Sequence, residues 1–517
     1  GMIHNLSLLK KCVFTLAILL ISQCLYAQQK ITGTVLSKSD GETLIGATVK
    51  ELGTNNGVIT DFNGNFTINV KKGSKLHISY VGFTAVDVAA TPNMKVALED
   101  VMKLNELVVV GYQTARKADL TGAVGIVDMK KPISESNPNI LNSLQGKVPG
   151  VMISTDAAPG GGGTSIRVRG MSTMNGNDPL YIIDGVPTTE NLNSINSADI
   201  ESIQVLKDAS SASIYGSRAA NGVIIITTKK GSGNRLSIDV NVSASMQTVA
   251  KSFDMLNAQQ WGEAYWAACK NSGITPSHPF YGNGATPVLA TYLDSEGKVK
   301  SADTDWQKEI YRTAWTQNYG IGISNSSDKG TTFFSANYTS QDGLMKETFF
   351  KRYTARLNST YKITKFATVG ENLTLAKWNN QGQSVQDDRG IPYTAMRQLA
   401  AIPVYDSDGN FTNPLTLANS DISNPMHDLY NSRDNENNSW RIFGNAYLEI
   451  VPVKGLTIKS NLGIEHVQFT NQTLTRKVQT SDVNSVTRAH GEGDTYTWSN
   501  TANYNTKLGD HNITLLG

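Results

Sequence analysis

The sequence contains little cysteine, little histidine and almost no net charge. Its 517 residues include three cysteines and seven histidines. Cys12 and Cys24 lie in an apolar N-terminal stretch, which leaves Cys269 alone in the rest of the chain. A single thiol can build neither a disulfide framework nor a cysteine-rich metal cluster, so we expect no metal and no cofactor. Cys269 follows two alanines and is most simply a small apolar filler.

The chain also lacks an excess of either charge. Lysine and arginine number 46 against 44 acidic residues, a net charge of +2, so no nucleic-acid partner is expected. A mean hydropathy of -0.26 excludes a protein built from many membrane helices. Strands that cross a membrane remain possible, because the polar positions inside a barrel lower the average. The length predicts about three or four domains.

Residues 1–27 have the composition of a secretory signal peptide. Two lysines at 10–11 precede the apolar run 13–21, which is too short to span a bilayer. The run is followed by Leu25-Tyr26-Ala27, a cleavage site of the small-residue type before Gln28. Lipidation of Cys24 is the alternative, but Gln23 is too large for the position before a lipidated cysteine. We therefore predict ordinary cleavage and export.

Residues 28–100 are predicted to form a small β-sandwich. Residues 31–35 alternate between apolar and polar, and glycines punctuate the stretch at nearly regular intervals, as turns do in a sandwich. The segment Thr60-Asp61-Phe62-Asn63-Gly64-Asn65-Phe66 carries a hairpin signal. His77 is the one histidine in this stretch, so a zinc site is not expected.

Residues 113–231 read as a small α/β unit. The run 180–183 is a strand that enters an Asp-Gly-Val-Pro turn, and 200–206 fits a helix that passes into a strand. The β-branched run 223–226 suits a strand covered on both faces. The glycine tract 160–163 lacks the Gly-Lys-Ser/Thr ending of a phosphate loop. We interpret that tract as a mobile loop that needs positive φ.

Six motifs of this unit carry a family resemblance. They are Leu-Gln-Gly-Lys-Val-Pro-Gly at 144–150, the glycine tract 160–163, Ser-Ile-Arg-Val-Arg-Gly at 165–170, Pro-Leu-Tyr-Ile-Ile-Asp-Gly-Val-Pro at 179–187, and the segments 199–208 and 214–228. Together they closely resemble the plug domain of TonB-dependent outer-membrane transporters, and within that superfamily the SusC/RagA branch of nutrient importers.

The resemblance implies functional positions within the plug. The matching residues are Arg167, Arg169, Gly170, Asp184, Gly185, Tyr215, Gly216, Arg218 and Gly222. Arg167 and Arg169 alternate with apolar residues, which places both on one strand face, where a solvated face is the simplest interpretation. In the family, the matching arginines pair with carboxylates of the barrel wall and seat the plug, a bidentate role that suits a guanidinium.

The stretch 104–112, between the sandwich and the plug, allows two interpretations. The simpler one is the last strand of the sandwich. The functional one is the TonB box of the family, with residues Glu106, Leu107, Val108, Val109, Val110 and Gly111. A short β-branched run with free edges can add to a partner's sheet, and the ladder of hydrogen bonds shares a pulling force. Its position just before the plug favours the TonB box.

Residues 232–517 alternate with a period of two in about nine runs. Apolar residues on one face oppose polar residues on the other, as in Tyr353, Ala355 and Leu357 against Arg352, Arg356 and Asn358. Most runs are long enough for a tilted strand to cross a bilayer. Short turns near 327–330, 362–365, 452–455 and 507–510 alternate with long loops near 249–314, 379–437 and 470–493. This asymmetry between the rims is typical of outer-membrane barrels.

The expected fold class is therefore mainly β. It comprises a carboxypeptidase-regulatory-like β-sandwich at 28–100, an α/β plug at 113–231, and the first nine or so strands of a transmembrane antiparallel β-barrel. The number of runs is odd, and family barrels have many more strands, so we expect an incomplete barrel from a fragment or a truncated gene.

Two features of the long loops stay open at this stage. Trp261, Tyr265 and Trp266 lie at helical spacing and either pack a short helix against the barrel or present a stacking surface for a sugar or peptide. The run 406–410 resembles the start of a calcium loop but lacks the later glutamate, so a turn is the favoured interpretation.

The resemblance implies a function without covalent chemistry. We expect an outer-membrane importer of oligosaccharides or peptides that works with a SusD-like surface lipoprotein. The TonB protein, driven by the ExbB–ExbD motor, would pull on the box and move the plug. A surface adhesin or a signalling receptor without active transport is the alternative. The sequence offers no catalytic triad, zinc pair or carboxylate pair in a defined context, so we expect no enzyme.

Overall fold

The computed structural model describes most of the chain. The described residues are 28–38, 41–81, 83–99, 107–110, 113–116, 124–128, 139–155, 158–161, 164–168, 170–171, 176–208, 212–233, 235–382, 390–417, 421–476, 483–509 and 511–517. The predicted signal peptide 1–27 lies outside them. The chain divides into two compact units, of which the first holds the N-terminal β domain and the second everything from Gly122 onward.

The N-terminal unit is a sandwich of two small sheets. Its strands are β1 (Gln28–Ser37), β2 (Thr48–Glu51), β3 (Gly57–Ile59), β4 (Asn65–Lys71), β5 (Lys75–Ser79), β6 (Val86–Ala89) and β7 (Met94–Leu98). One sheet has the order β4-β1-β7 and the other β3-β2-β5-β6. In β4 the side chains alternate strictly between exposed and buried, and the buried ones join a core around Ile31, Leu76 and Leu98.

The hairpin predicted at 60–66 is wrong in one respect. The turn exists, because Gly64 adopts a φ of 71° and Asp61 Oδ1 accepts from the backbone N–H groups of Asn63 and Asn65 at 2.9 and 2.8 Å. The strands on either side belong to different sheets, however. The local turn signal is the same for a hairpin and for a crossing between sheets, since only the partner strands differ.

Two further short strands follow the sandwich along the chain. They are β8 (Leu107–Val110) and β9 (Gln113–Arg116), which pair as a separate two-stranded sheet. Among the described residues, β8 pairs with β9 and joins neither sandwich sheet, so both interpretations of this stretch stay predictions.

The second unit contains a mixed α/β part that we call the plug unit. Its strands are β10 (Val124–Asp128), β11 (Val151–Ser154), β12 (Ser165–Val168), β13 (Leu180–Ile183), β14 (Val186–Thr188), β15 (Ile200–Leu206) and β16 (Val223–Thr228). Five of them form a sheet of order β10-β15-β16-β13-β14, in which β13 and β16 are parallel. As expected, β16 is covered on both faces: Ile224 and Ile226 join one apolar cluster and Val223 and Ile225 another.

The remaining strands form one antiparallel sheet, the large sheet. They are β17 (Ser237–Gln247), β18 (Ala314–Ser327), β19 (Gly330–Asp342), β20 (Phe349–Lys362), β21 (Ala367–Gln381), β22 (Glu436–Val453), β23 (Leu456–Thr475), β24 (Ser485–Leu508) and β25 (His511–Leu516). Each strand pairs with the next one along the chain, so the sheet order is the sequence order. The expected count of about nine strands is confirmed.

The connections at the two rims of the large sheet differ in length. One rim has the short turns 328–329, 363–366, 454–455 and 509–510, and the other has 248–313, 343–348, 382–435 and 476–484. Two of the three predicted long loops are confirmed. The third, expected at 470–493, is shorter because β23 extends to Thr475 and β24 begins at Ser485, beyond the point where apolar residues thin out along both strands.

The two longest connections pack together into what we call the loop core. They carry helices α1 (Ala258–Asn271), α2 (Trp306–Ile310), α3 (Ile391–Arg397), α4 (Pro414–Leu417) and α5 (Pro425–Ser432). The side chains of Trp266, Trp306, Ile402 and Leu429 are buried in a shared apolar cluster. No helix in the described ranges combines the length and the apolar character needed to cross a membrane.

Candidate functional site

The candidate site is the contact between the plug unit and the large sheet. Residues at even positions of β20, such as Arg352, Arg356 and Asn358, point to the face that the plug unit covers, because side chains alternate along a strand. Arg352 and Arg356 expose 2 % and 3 % of their surface. Both arginines therefore lose their water and need protein acceptors.

The first cluster forms around Asp184, at the tip of the β13–β14 hairpin. Asp184 and Gly185 are its two turn residues, with φ values of 48° and 87°, as a hairpin turn with two left-handed residues requires. This turn aims the Asp184 carboxylate at the large sheet, where it forms an ion pair with Arg356. Both side chains are buried, at 6 % and 2 % exposure.

Thr228, at the end of β16, completes the Asp184 cluster. Its backbone N–H and its hydroxyl donate to the two oxygens of Asp184 at 3.0 and 2.8 Å. The same hydroxyl oxygen accepts from Arg356 at 2.7 Å and from the Asn358 amide at 2.8 Å. The carboxylate, the hydroxyl and the guanidinium thus form hydrogen bonds with one another across the contact. These bonds lower the free-energy cost of burying the two charges.

The second cluster forms around Glu465 of β23. Arg441 of β22 lies 2.5 Å from Glu465, and both side chains are buried, at 1 % and 7 % exposure. Arg441 also donates to Asn191 O at 2.7 Å, Ser194 Oγ at 2.8 Å and Thr188 Oγ1 at 2.8 Å, all in the plug unit. The large sheet, which we also call the wall, thus binds three residues of the plug unit through one arginine. The carboxylate that balances the charge of this arginine lies in the wall itself.

Further polar contacts surround these clusters. Arg352 donates to the carbonyls of Asn193 and Ile195 at 3.2 and 3.1 Å. Asn337 of β19 donates to Asp199 at 3.1 Å, and burial is the main cause that raises the pKa of Asp199 above its usual range. Most of the contact consists of hydrogen bonds. Apolar contacts among the described residues are few and include Phe443 of β22, which packs in the apolar cluster of the plug unit.

The glycine tract belongs to this contact. Gly160 and Gly161 have φ values of 72° and 67°, which confirms the expected left-handed backbone. Gly160 is buried, and its N–H donates to Gln341 of β19 at 2.8 Å. A Cβ at Gly160 would collide with the ring of Phe350. The tract is therefore a point of close approach between the plug unit and the wall. The sequence did not indicate this role.

The expected role of the plug arginines is corrected. The Arg167 guanidinium lies 2.5 Å from Asp178, a residue of the plug unit itself, and it also donates to Ile166 O. Arg169 lies outside the described residues. The arginines seen to hold the plug unit, Arg352, Arg356 and Arg441, come from the wall, and the plug supplies carboxylate, hydroxyl and carbonyl acceptors. In the Arg356–Asp184 pair the guanidinium belongs to the wall and the carboxylate to the plug unit, the reverse of the expected arrangement, and one guanidinium nitrogen makes the contact.

The other predicted plug positions that the structure describes lie within the plug unit. Tyr215 is buried in an apolar cluster with Val223 and Ile225 of β16, and Gly216 has a φ of 67°. Gly222 has a φ of 90°, and a Cβ there would press on Val168. Gly170 also adopts a positive φ, and Arg218 is exposed. Of the predicted plug positions that the structure describes, Asp184 forms an ion pair with the large sheet.

The predicted TonB box is described in part. Leu107–Val110 is strand β8, whereas Glu106 and Gly111 lie outside the described residues.

The sequence left open the roles of two loop features, the aromatic group at 261–266 and the run 406–410. The structure shows their contacts. Trp266 is buried, and its indole N–H donates to Gly284 O at 2.9 Å. The rings of Trp261 and Tyr265 stack on each other at 5.2 Å, so the aromatic group packs within the loop core and not against the wall. Asp406 Oδ1 accepts from Asp408 N and Asn410 N, which confirms a turn at 406–410.

Comparison with known proteins identifies the chain. The family model "TonB-dependent Receptor Plug Domain" matches residues 116–223, and the "CarboxypepD_reg-like domain" matches 31–110. TonB-dependent receptor SusC of Bacteroides thetaiotaomicron is 36% identical over 345 residues, which cover 64% of this chain and 32% of that protein. This chain belongs to the SusC/RagA family of TonB-dependent receptors.

Other members of the family extend the match. TonB-dependent receptor P3 of Formosa agariphila is 31% identical over 536 residues, covering 98% of this chain and 49% of that protein. The structure of the RagAB peptide importer in its closed-closed state aligns with a TM-score of 0.64 at 25% identity, covering 77% of this chain and 47% of that one. The chain thus spans about half the length, or less, of the curated relatives it matches.

The comparisons confirm the expected fold class. The chain is mainly β, with a carboxypeptidase-regulatory-like domain, a plug domain and a large antiparallel sheet typical of a TonB-dependent β-barrel. The CarboxypepD_reg-like model extends to residue 110 and so includes β8. The wall residues of the contact were already visible in the sequence as charged residues on the polar face of long alternating strands. This pattern did not show whether the partners of these charged residues lie in the plug unit or in the large sheet.

Proposed function

We propose that the full-length protein is a TonB-dependent importer of the outer membrane. The observation that carries the proposal is the hydrogen-bonded contact between the plug unit and the large sheet. Buried ion pairs contribute little net stability compared with apolar packing, because desolvation offsets their attraction. A contact of this kind positions the plug precisely enough to block a pore, and its partners can return to water when the plug moves.

The face of the large sheet that the plug unit covers carries amide side chains, which favours movement of the plug unit in the proposed transport. Asn358, Asn372 and Asn445 lie opposite one another on three successive strands, and Asn461 of the next strand lies two positions from the residue opposite Asn445. Asn372 donates to Asn445 at 2.9 Å, and Asn445 donates to Asn461 at 2.5 Å. An amide ladder along the wall offers replacement hydrogen bonds to water or to a polar cargo once the plug unit leaves its seat.

We propose that β8 is the point where the motor acts. The segment 106–111 would pair with TonB as an added strand, and the ladder would transmit force into the following plug domain. The free energy of this pairing comes from main-chain hydrogen bonds, so it depends on backbone donors more than on side chains. The pairing of β8 with β9 would then be exchanged for pairing with TonB.

The partners follow from the family. We propose a SusD-like surface lipoprotein over the rim of the long loops, and an oligosaccharide or a peptide as cargo. The loop core provides a folded surface at that rim. The protein would do no covalent chemistry, and its work would be binding and plug movement.

The coupling claim is tested with Val109→Pro in the full-length protein. Proline removes the backbone donor of Val109 and cannot take part fully in an added strand. We expect loss of binding to the purified C-terminal domain of TonB, and loss of the energy-dependent uptake of fluorescent oligosaccharide and peptide panels. Val109→Thr, which keeps a β-branched residue and the N–H, is the matched control and should retain both. Unchanged TonB binding by Val109→Pro at normal surface expression would contradict the proposal.

A further inference from the structure

The outward face of the large sheet carries a groove next to a row of aromatic residues. Register pairing aligns Tyr319, Tyr338, Tyr353, Lys377 and Trp440 on five successive strands. The three tyrosine rings contact in sequence, with centroids 6.3 and 4.7 Å apart. Odd positions of β20 lie opposite Arg352 and Arg356, so this row faces away from the plug unit.

The five residues of this row line one side of the groove. It has a volume of about 730 Å³ and runs from β17 to β22. The next register line places Ala336 and Ala355 side by side, flanked by Ile321 and Leu375. Two methyl side chains between larger neighbours create the depression, and its lining is almost entirely apolar. An extended hydrocarbon chain fits a depression of this kind.

The end of the groove nearest the long loops carries positive charge. Lys377 Nζ lies 5.0 Å from the ring centroid of Trp440, and Lys351 Nζ lies 5.5 Å from that of Phe349. Both lysines are exposed, and within the described part of the chain neither forms an ion pair. The carboxylate on the same face of β21, Glu371, lies six residues from Lys377 and accepts from Ser359. The two ammonium groups are therefore available to an anion.

We infer that this groove binds one acyl chain of an anionic, phosphate-bearing lipid, with its headgroup held between Lys351 and Lys377. Aromatic rings of this amphipathic kind mark the headgroup level of a bilayer, which places both ammonium groups among lipid phosphates. Any lipid tail covers an apolar wall equally well, so apolar area alone gives no selectivity. Selectivity arises from the fit to the depression and from the two charges. The inference rests on the proposed outer-membrane location.

The test uses the full-length protein purified from membranes and native mass spectrometry with added lipid. The probes are phosphatidylglycerol and phosphatidylcholine with identical acyl chains. We expect one tightly retained lipid, with roughly thirtyfold preference for phosphatidylglycerol from two lysines near the surface. Lys351→Gln with Lys377→Gln should reduce this preference to about twofold or less, as the acyl chain alone does not distinguish the headgroups.

Two further variants separate charge from shape. Ala355→Phe fills the depression and should weaken retention of both lipids. Lys362→Gln with Lys365→Gln removes two lysines at the opposite rim and should leave the wild-type preference unchanged. An unchanged preference in Lys351→Gln with Lys377→Gln would overturn the inference. Absence of the wild-type protein from the outer-membrane fraction would instead overturn the proposed function.

Discussion

Arg441 is the largest side chain that is completely buried among the described residues, and its position concentrates the chemistry of the plug contact. Its charge is balanced by Glu465 of the neighbouring strand, while its two terminal nitrogens also donate to Asn191, Ser194 and Thr188 of the plug unit. Removing one member of such a pair leaves an unpaired charge in a dry environment. The penalty is larger than the net contribution of the intact pair.

We predict that Arg441→Met destabilises the full-length protein by about 3–5 kcal/mol, because it strands the buried Glu465 carboxylate. Urea titration of the protein refolded in lipid vesicles measures the change. The matched control is Arg397→Gln in the loop core, which breaks an ion pair with Asp421 at 3.0 Å. That pair is exposed at 42% and 75%, so its loss should cost at most about 1 kcal/mol.

The double variant Arg441→Met with Glu465→Gln sharpens the test. It removes both charges, and the remaining polar groups can bond to one another, so it should recover part of the lost stability. Equal costs for Arg441→Met and Arg397→Gln would contradict the assignment of Arg441 as a buried anchor of the plug contact.

Among the elements, the loop core contains two half-buried histidines that pack against aromatic rings. His278 packs among Trp261, Phe280 and Tyr281, and its Nδ1 accepts from Phe280 N at 3.1 Å. His427 of α5 stacks on Phe411 with ring centroids 4.7 Å apart. Burial lowers the pKa of both imidazoles below 6.5, so the neutral forms are favoured in the folded protein.

We predict that the loop core loses stability as the pH falls below about 6.5. Each histidine would gain a proton more readily in the unfolded state, so folding is weakened from the unfolded pKa downward to the folded one. Burial raises the pKa of Asp428 on the same helix as His427, which acts in the opposite direction. The rate of protease cleavage within 248–313 and 382–435, compared at pH 7.5 and 5.5, measures the effect.

The variant His278→Gln with His427→Phe isolates the imidazoles. The glutamine side chain would keep an acceptor for Phe280 N, and the introduced phenyl ring would keep the stacking on Phe411. Since neither replacement titrates, cleavage should become less sensitive to acid than in the wild type. Acid sensitivity that persists undiminished in this variant would show that other groups control the pH response.

At the scale of the whole molecule, the N-terminal sandwich has a core of its own. Its buried residues, among them Ile31, Phe66 and Leu76, come from strands of the same unit. The chain divides after this unit into a second compact unit that holds the plug and the large sheet. A domain with its own core and its own sheets can fold without the rest of the chain.

We predict that residues 28–99, expressed alone, fold cooperatively in aqueous buffer. Circular dichroism during thermal unfolding measures this. Phe66→Ala removes a ring that is 3 % exposed and should cost about 3–5 kcal/mol, enough to unfold much of so small a domain. Phe62→Ala removes a ring that is 87% exposed and should leave the transition unchanged within about 0.5 kcal/mol. A fragment without a cooperative transition would show that the domain needs the remainder of the chain.

Much of the fold could be predicted because its signals are local. Alternation with a period of two identifies the long strands of the large sheet, and Asp184-Gly185 identifies a tight hairpin because both residues tolerate positive φ. The turn at 60–66 shows the limit of such signals, since the same residues serve a hairpin or a crossing between two sheets. Strand ends near 475 and 485 were misplaced because their residues there are polar on both faces.

The candidate site depended on pairings between distant residues. Arg356 and Asp184 are 172 positions apart, and Arg441 and Thr188 are 253 apart. Periodicity showed that Arg352, Arg356 and Arg441 share the polar face of their strands, but a charge on a polar face can equally meet water, cargo or the plug. Arg167 illustrates the same difficulty from the other side, because its acceptor Asp178 is only 11 residues away.

The amino-acid sequence by itself determined the order of the domains, the strand periodicity and the family, since each depends on residues close together along the chain. The tertiary structure alone decided that the wall supplies the arginines and the plug the acceptors, and that Gly160 touches the wall. It also decided that small side chains on adjacent strands leave a groove on the outward face. These features depend on which strands become neighbours and in which register, and that is set by the packing of the whole unit.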